Sequence, residues 1–225
     1  MWTELDWAPL WLTFRLAGIT TLILLLIGVP LAAWLAATQS RFKPVAETLV
    51  SMPLVLPPSV LGFYLLLAFS PNSALGGWLL ATFDLRLVFT FEGLVLGSVL
   101  FSLPFMVHPL QSALSALPHS LSEAAYTLGR SRSNTLFTVL LPNIKGALLA
   151  GIVLSFAHTV GEFGVVLMIG GNIPGVTKVA SIAIYDEVES LNYAAANLYA
   201  GVLFVLSFVI LLAVYLFNRR ALRAA

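Results

Sequence analysis

Residues 120–142 read SLSEAAYTLGRSRSNTLFTVLLP, a polar interlude between two apolar blocks. Ser120 and Glu123 stand at capping-box spacing, Ala124 and Ala125 are strong helix formers, and Gly129 is placed to end a helix. The stretch therefore predicts a short helix capped at Ser120. Arg130, Ser131, Arg132 and Ser133 hold the next turn in water before Leu136, Phe137, Val139, Leu140 and Leu141 return to apolar chain. A small helix set on a membrane surface between two spans is within reach of a soluble partner.

The composition places that surface. Of 225 residues, 60% are hydrophobic and only 9% charged, far from the usual globular balance. The chain reads as an all-α integral membrane protein in contact with membrane lipid. A formal net charge of +1 supplies no basic face for nucleic acid. There are no cysteines, hence neither a disulfide framework nor thiolate metal ligation. Before Arg15 the N-terminus carries Glu4 and Asp6 and no basic residue, so the first apolar segment is expected to be a retained span rather than a signal peptide.

Five apolar blocks are long enough to cross a bilayer, which needs about 20 residues. They are 10–37, 45–69, 92–114, 146–169 and 195–217. Gly28 and Pro30 predict a kink in the first, and Pro104 and Pro109 bend the third. In the second, Pro57 and Pro58 each remove an amide donor and disfavour the helical conformation of the preceding residue, so the helix is interrupted near Leu56 to Ser59. Interrupted backbone inside hydrocarbon must be buried by protein or face a watery cavity, which assigns this break to the wall of a path; an ordinary proline kink against a neighbouring helix is the alternative. Residues 70–90 read as a loop with a short interfacial helix, and residues 170–194 as a polar connection. A sixth span has room only in 76–89 or 176–188, both short and charged.

Lys and Arg are retained on the cytoplasmic side of spans. One side holds Arg41, Lys43, Arg130, Arg132, Lys145, Arg219, Arg220 and Arg223, against Arg86 and Lys178 on the other. The N-terminus is therefore expected outside, the C-terminus inside and the 120–142 loop in the cytoplasm, all within one transmembrane domain over 1–225. No G-x-x-x-x-G-K-[ST] occurs in the sequence, so an ATP-driven process needs its nucleotide on another polypeptide. Glu123 has two compatible tasks, capping its own helix and docking such a partner.

His158 and Glu162 are four residues apart in the fourth block, hence expected on one helical face, where an ionisable pair is a site candidate. A proton relay, a gate hydrogen bond and a packed polar pair all fit. Two ligands do not make a metal site, and His108 and His119 have no comparable neighbour in sequence. Ser98 and Ser102 have no histidine at a convincing position, which leaves a membrane hydrolase with little behind it. No cofactor is expected.

Glu123, Ala124, Ala125, Gly129 and, after nine further residues, Val139, Leu141 and Pro142 resemble the E-A-A-x3-G-x9-I-x-L-P signature of membrane subunits of bacterial ATP-driven importers, with Val139 in place of isoleucine. PLVLPPSVLGFYLL at 53–66 and GEFGVVLMIGGNIPGVTKVASIAIYDEV at 161–188 resemble the matching segments of molybdate importer permeases, a branch whose relatives take tungstate and sulfate. The resemblance implies a type I ABC importer transmembrane domain of five or six spans in the bacterial inner membrane. It implies a working assembly of two copies of this chain, two cytoplasmic ATP-binding subunits and a periplasmic oxyanion-binding protein. Glu123, Ala124, Ala125, Gly129 and Pro142 would couple to the ATPase. A divalent anion calls for a weakly binding polar path, for which Pro57, Pro58, Ser59, Thr159, Glu162 and Asn172 are the candidates. An ion-coupled carrier built on His158 and Glu162 is the rival reading.

Overall fold

Long apolar runs leave the backbone no polar partner but itself, and the chain is helical throughout the described residues, with no strand among them. The computed structural model describes residues 6–223, without the side chains of 213, 214 and 217–223. Glu4 and the side chains of Arg219, Arg220 and Arg223, which enter the charge argument, lie outside the described residues, as do the ends of the 1–225 domain.

α1 (Ala8–Ala37) stays one helix through Pro30 and ends where Thr38 turns extended. α2 (Lys43–Val55) and α3 (Pro58–Phe69) are the two halves of the second block, bent by 112° at Leu56 and Pro57. The break falls where the paired prolines predict it. α4 (Ala74–Phe83) is opened by Ser73, whose hydroxyl accepts from the Gly76 amide at 2.9 Å. At 1.5 Å per residue it is about 15 Å long, too short to cross. α5 (Phe91–Ser115) carries Pro104 and Pro109 inside a single helix.

α6 (His119–Thr127), α7 (Arg132–Thr135), a π-helical turn (Leu136–Leu140) and α8 (Leu141–Asn143) form the loop read first in the sequence. α9 (Lys145–Val160) leaves that loop at 88°. The fourth block is not the single span expected: α9 stops at Val160, and α10 (Gly164–Gly170) starts again after a gap at 161–163. α11 (Ala180–Glu189) lies within the expected polar connection, with Ala180, Ile182 and Ala183 buried, and α12 (Tyr193–Arg223) closes the chain. Among the described residues three helices, α1, α5 and α12, are each long and apolar enough to cross a membrane, and the count reaches five if each bent pair is one span.

The described residues pack into three buried clusters, two of which hold the long helices together. Leu24, Leu35, Met106, Val107 and Leu110 close α1 on α5, with α9 against both. Leu16, Leu94, Val165, Ile169 and Ile182 join the other ends of α1 and α5 to α3, α10 and α11. A buried bond from the Ala180 amide to Thr13 Oγ1, 2.8 Å, ties α11 to α1. α12 leaves Phe204, Phe208 and Tyr215 exposed, a surface suited to lipid.

Candidate coupling loop and translocation path

α6 is set by its ends. The helix starts two residues earlier than the capping box requires: Pro118 is the N-cap, with φ −58° and ψ 132°, and no side chain caps the turn. Proline brings a fixed φ to that position and needs no donor, and its carbonyl accepts from the Leu121 amide at 3.2 Å. Ser120 thus lies inside the helix, and Glu123 is an exposed mid-helix residue free of capping duty. The other end follows the sequence. Gly129 has φ +77°, its amide donates to the Tyr126 carbonyl at 2.9 Å, and the Arg130 amide donates to Ala125 at 3.0 Å. This is a Schellman closure on a left-handed residue.

The three motif residues of α6 face different ways. Ala125 is 5% exposed and anchors the helix, whereas Glu123 and Ala124 point to solvent. After the turn, Ser131 Oγ accepts from the Asn134 amide at 3.2 Å, and the Arg130 guanidinium donates to Asn134 Oδ1 and Thr138 Oγ1, each at 2.8 Å. Pro142 has no amide for the Thr138 carbonyl. The helix widens upstream instead, and the Leu141 amide reaches back to the Leu136 carbonyl. A proline that cannot close an α-turn accounts for the π-helical segment before it. The loop is a pinned sequence of short helices joined by a bend to α9, not a flexible strap.

The two interrupted blocks meet. Gly164, the first residue of α10, packs so closely on the α2–α3 break that a Cβ there would fall 2.6 Å from Pro58 Cβ; at Gly62 a Cβ would lie 2.7 Å from Met168 Cβ. Glycine permits this approach of backbone to backbone. Each break thus has protein on one side, while Pro57, Pro58 and Ser59 remain exposed on the other.

Glu162 occupies the second gap. It is 6% exposed, its Oε1 accepts from the Val165 amide at 2.8 Å, and its carbonyl accepts from the Ser181 hydroxyl at 2.6 Å. It opens α10 as a capping acid does. His158 belongs to α9, so the expected pair on one continuous helical face does not form. The histidine's partner is Ser102, whose Oγ lies 3.0 Å from His158 Nδ1 and 3.0 Å from Thr159 Oγ1. The Thr159 hydroxyl donates to the Ser155 carbonyl at 2.9 Å, so it accepts from Ser102, and Ser102 accepts from His158 Nδ1–H. The chain of protons ends on a backbone carbonyl. Phe105 stacks on the imidazole at 4.1 Å between centroids, and Phe101 lies at 4.9 Å. This corrects the expectation that Ser102 lacks a histidine.

Thr159 itself is 1% exposed, interior to this chain rather than on an open wall. Asn172 is exposed, and its amide donates to both Asp186 carboxylate oxygens at 2.8 Å, while Lys178 holds Asp186 at 2.6 Å. The Arg15 guanidinium lies 4.6 Å above the Phe91 ring. Among the described residues no three His, Asp or Glu side chains gather as a metal site.

A second polar group escapes sequence reading: Glu47 and Ser51 on α2, with His108 and Gln111 on α5. Gln111 Nε2 donates to Glu47 Oε1 at 2.6 Å, and Ser51 Oγ lies 3.2 Å from His108 Nε2. The signal was available as polar residues at i, i+4 and i, i+3 within two apolar blocks, but their pairing spans 57 and 64 residues.

Interrupted spans packed around polar side chains, with a capped helix set out between two spans, define the membrane component of a transport system. Residues 28–223 match the family model described as "Binding-protein-dependent transport system inner membrane component", and the chain belongs to that family. It is 47% identical over 213 residues to the molybdenum transport system permease protein ModB of Azotobacter vinelandii, covering 95% of this chain and 94% of that one. It is 37% identical over 186 residues to the sulfate transport system permease protein CysT of Escherichia coli K12, covering 82% of this chain and 66% of that one. Among solved structures, the MetNI methionine ABC transporter matches with TM-score 0.72 at 16% identity, covering 94% of each chain. The fold is that of the transmembrane domain of type I ABC importers, and the chain is a multi-pass inner-membrane permease subunit.

Proposed function

We propose that this chain forms the path by which molybdate, and by the same chemistry tungstate, crosses the inner membrane in an importer energised by ATP. The observation that carries the reading is 47% identity to a molybdenum permease sustained over 94% of its length. Likeness to the sulfate permease is lower and spans 66% of that protein, which leaves sulfate as the second substrate class. Two copies of the chain enclose the path, two ATP-binding subunits bind below, and a periplasmic oxyanion-binding protein delivers the anion. The N-terminus lies outside and the C-terminus in the cytoplasm, in keeping with the distribution of Lys and Arg.

The loop at 120–142 is the coupling element. Glu123 and Ala124 present their side chains to a groove of the ATP-binding subunit, Ala125 anchors α6, Gly129 closes it, and Pro142 fixes the bend that passes its motion to α9. Closure of the nucleotide sites brings the two docked helices together and opens the path outward; hydrolysis, in the ATP-binding subunits, returns it to face inward. Pro57, Pro58 and Ser59 line the path at the α2–α3 break. Glu162 supports the path from behind by holding the Val165 amide at the second gap, Thr159 belongs to the buried packing of α9, and Asn172 stands on the exposed surface tied to Asp186. A carrier driven by protons through His158 and Glu162 has lost its geometric support, because His158 is bonded to Ser102 of α5 and Glu162 to the Val165 amide of α10, not to each other.

The test is uptake in vesicles containing this chain and its ATP-binding partner, with the binding protein outside. Labelled molybdate is expected to enter only with internal ATP, and excess tungstate to compete better than excess sulfate. Uptake by the chain alone under a pH gradient contradicts the proposal.

A further inference from the structure

At the ends of α2 and α5 that lead to Lys43 and to α6, the two helices part around a cleft of about 470 Å³, lined by Glu47, Ser51, His108, Gln111, Ser112 and Ser115. Proton counting fixes its bonds. The Ser51 hydroxyl donates to the Glu47 carbonyl at 2.7 Å, so its lone pair accepts from His108 Nε2–H. The Gln111 amide donates to Glu47 Oε1 at 2.6 Å, and the Lys43 ammonium lies 3.9 Å from the same oxygen. An amide donor and a cation thus converge on one carboxylate oxygen, with serine hydroxyls beside them.

Such a set of donors is what a tetrahedral oxyanion binds. The carboxylate already holds it. Ionisable side chains within spans face protein or water rather than lipid, and Glu47 and Ser51 share their face of α2 with Met52 and Leu56, which lead up to the α2–α3 break. Lys43 and Glu47 are each about a third exposed, so the group is open and not packed away.

We propose that this cleft is the last station of the path on the cytoplasmic side, and that the Glu47 carboxylate is a built-in rival of the departing oxyanion. By occupying the Gln111 amide and the Lys43 ammonium, it keeps them from trapping the ion, as passage through a path requires weak binding at its exit. The inference rests on the oxyanion reading of the preceding section.

The test uses the assembled transporter in vesicles loaded with ATP and graded unlabelled molybdate, with labelled molybdate and binding protein outside. Each variant's initial rate is taken relative to its own rate without internal molybdate. Glu47→Gln is expected to lower the half-inhibitory internal concentration by about tenfold, the worth of one charge-assisted contact. Adding Gln111→Leu is expected to restore tolerance, and Gln111→Leu alone to leave tolerance at or above that of the unsubstituted transporter. Uptake with equal inhibition in Glu47→Gln and the unsubstituted transporter overturns the cleft proposal alone, as does greater inhibition in Gln111→Leu. Absence of molybdate uptake by the unsubstituted transporter overturns the substrate reading and this inference with it.

Discussion

Replacing Gly129 isolates the closure of α6 from everything around it. A Cβ at this position would meet no atom within 4 Å, so Gly129→Ala introduces no clash within the chain and acts through the backbone alone. At φ +77° an L-residue other than glycine costs about 1–2 kcal/mol. Paid against the closed turn, that shifts the ratio of closed to frayed loop by about 5–30-fold. α6 has nine residues, fewer than the ~12–15 an isolated helix needs, and so has little reserve of its own. Asn tolerates the left-handed region better than Ala, which sets the expected order Gly, then Asn, then Ala. Pro removes the amide that donates to Tyr126 and forbids the φ, and is expected to abolish closure. The assay is ATP hydrolysis stimulated by the binding protein in reconstituted transporter, read beside hydrogen exchange at the amides of Gly129 and Arg130. A steric effect of the docked ATPase would rank the larger Asn below Ala. That reversed order, or exchange unchanged in Gly129→Ala, refutes the reasoning.

At the meeting of the two breaks, Gly164→Val pushes a side chain into Pro58, and overpacking of this kind costs about 1–3 kcal/mol; a lowered Tm of the detergent-purified protein is the expected readout. Ser102→Ala orphans His158 Nδ1–H and is expected to destabilise by about 1 kcal/mol, measured by the same melting, without changing the pH dependence of uptake. Glu162→Leu removes the acceptor for the Val165 amide and is expected to cost about 1 kcal/mol, whereas Glu162→Gln keeps an oxygen there and costs much less. Uptake that survives His158→Ala combined with Glu162→Gln agrees with bonded structural roles; its loss in Glu162→Gln at unchanged Tm points back to proton transfer.

What could be read from sequence is what depends on local chemistry. The block around Pro57 and Pro58 had to break because two adjacent imides cannot serve a helix, and Gly129 had to end α6 because few other residues enter the left-handed region. The start of α6 was misplaced because Ser120 matches a capping pattern that Pro118 pre-empts through its own fixed φ. The gap at 161–163 carries no proline. It arises from Glu162 satisfying the Val165 amide from outside the helix and from the approach of Gly164 to Pro58, a contact between residues far apart in the chain. The same holds for His158, whose neighbour at i+4 was the visible partner while its bonded one, Ser102, stands 56 residues away. α11 was hidden by Asp186, Glu187 and Glu189, since its buried face of Ala180, Ile182 and Ala183 is too short for a clear helical period.

The absence of native cysteine makes one further measurement direct. Ala124→Cys places a lone thiol on the exposed face of α6, whereas Ala125 is buried and unsuited to labelling. A membrane-impermeant thiol reagent is expected to modify this cysteine in inside-out vesicles but not in intact cells, and the bound ATP-binding subunit is expected to protect it. Modification from outside intact cells contradicts the account, because the helix then lies across the membrane from any source of ATP.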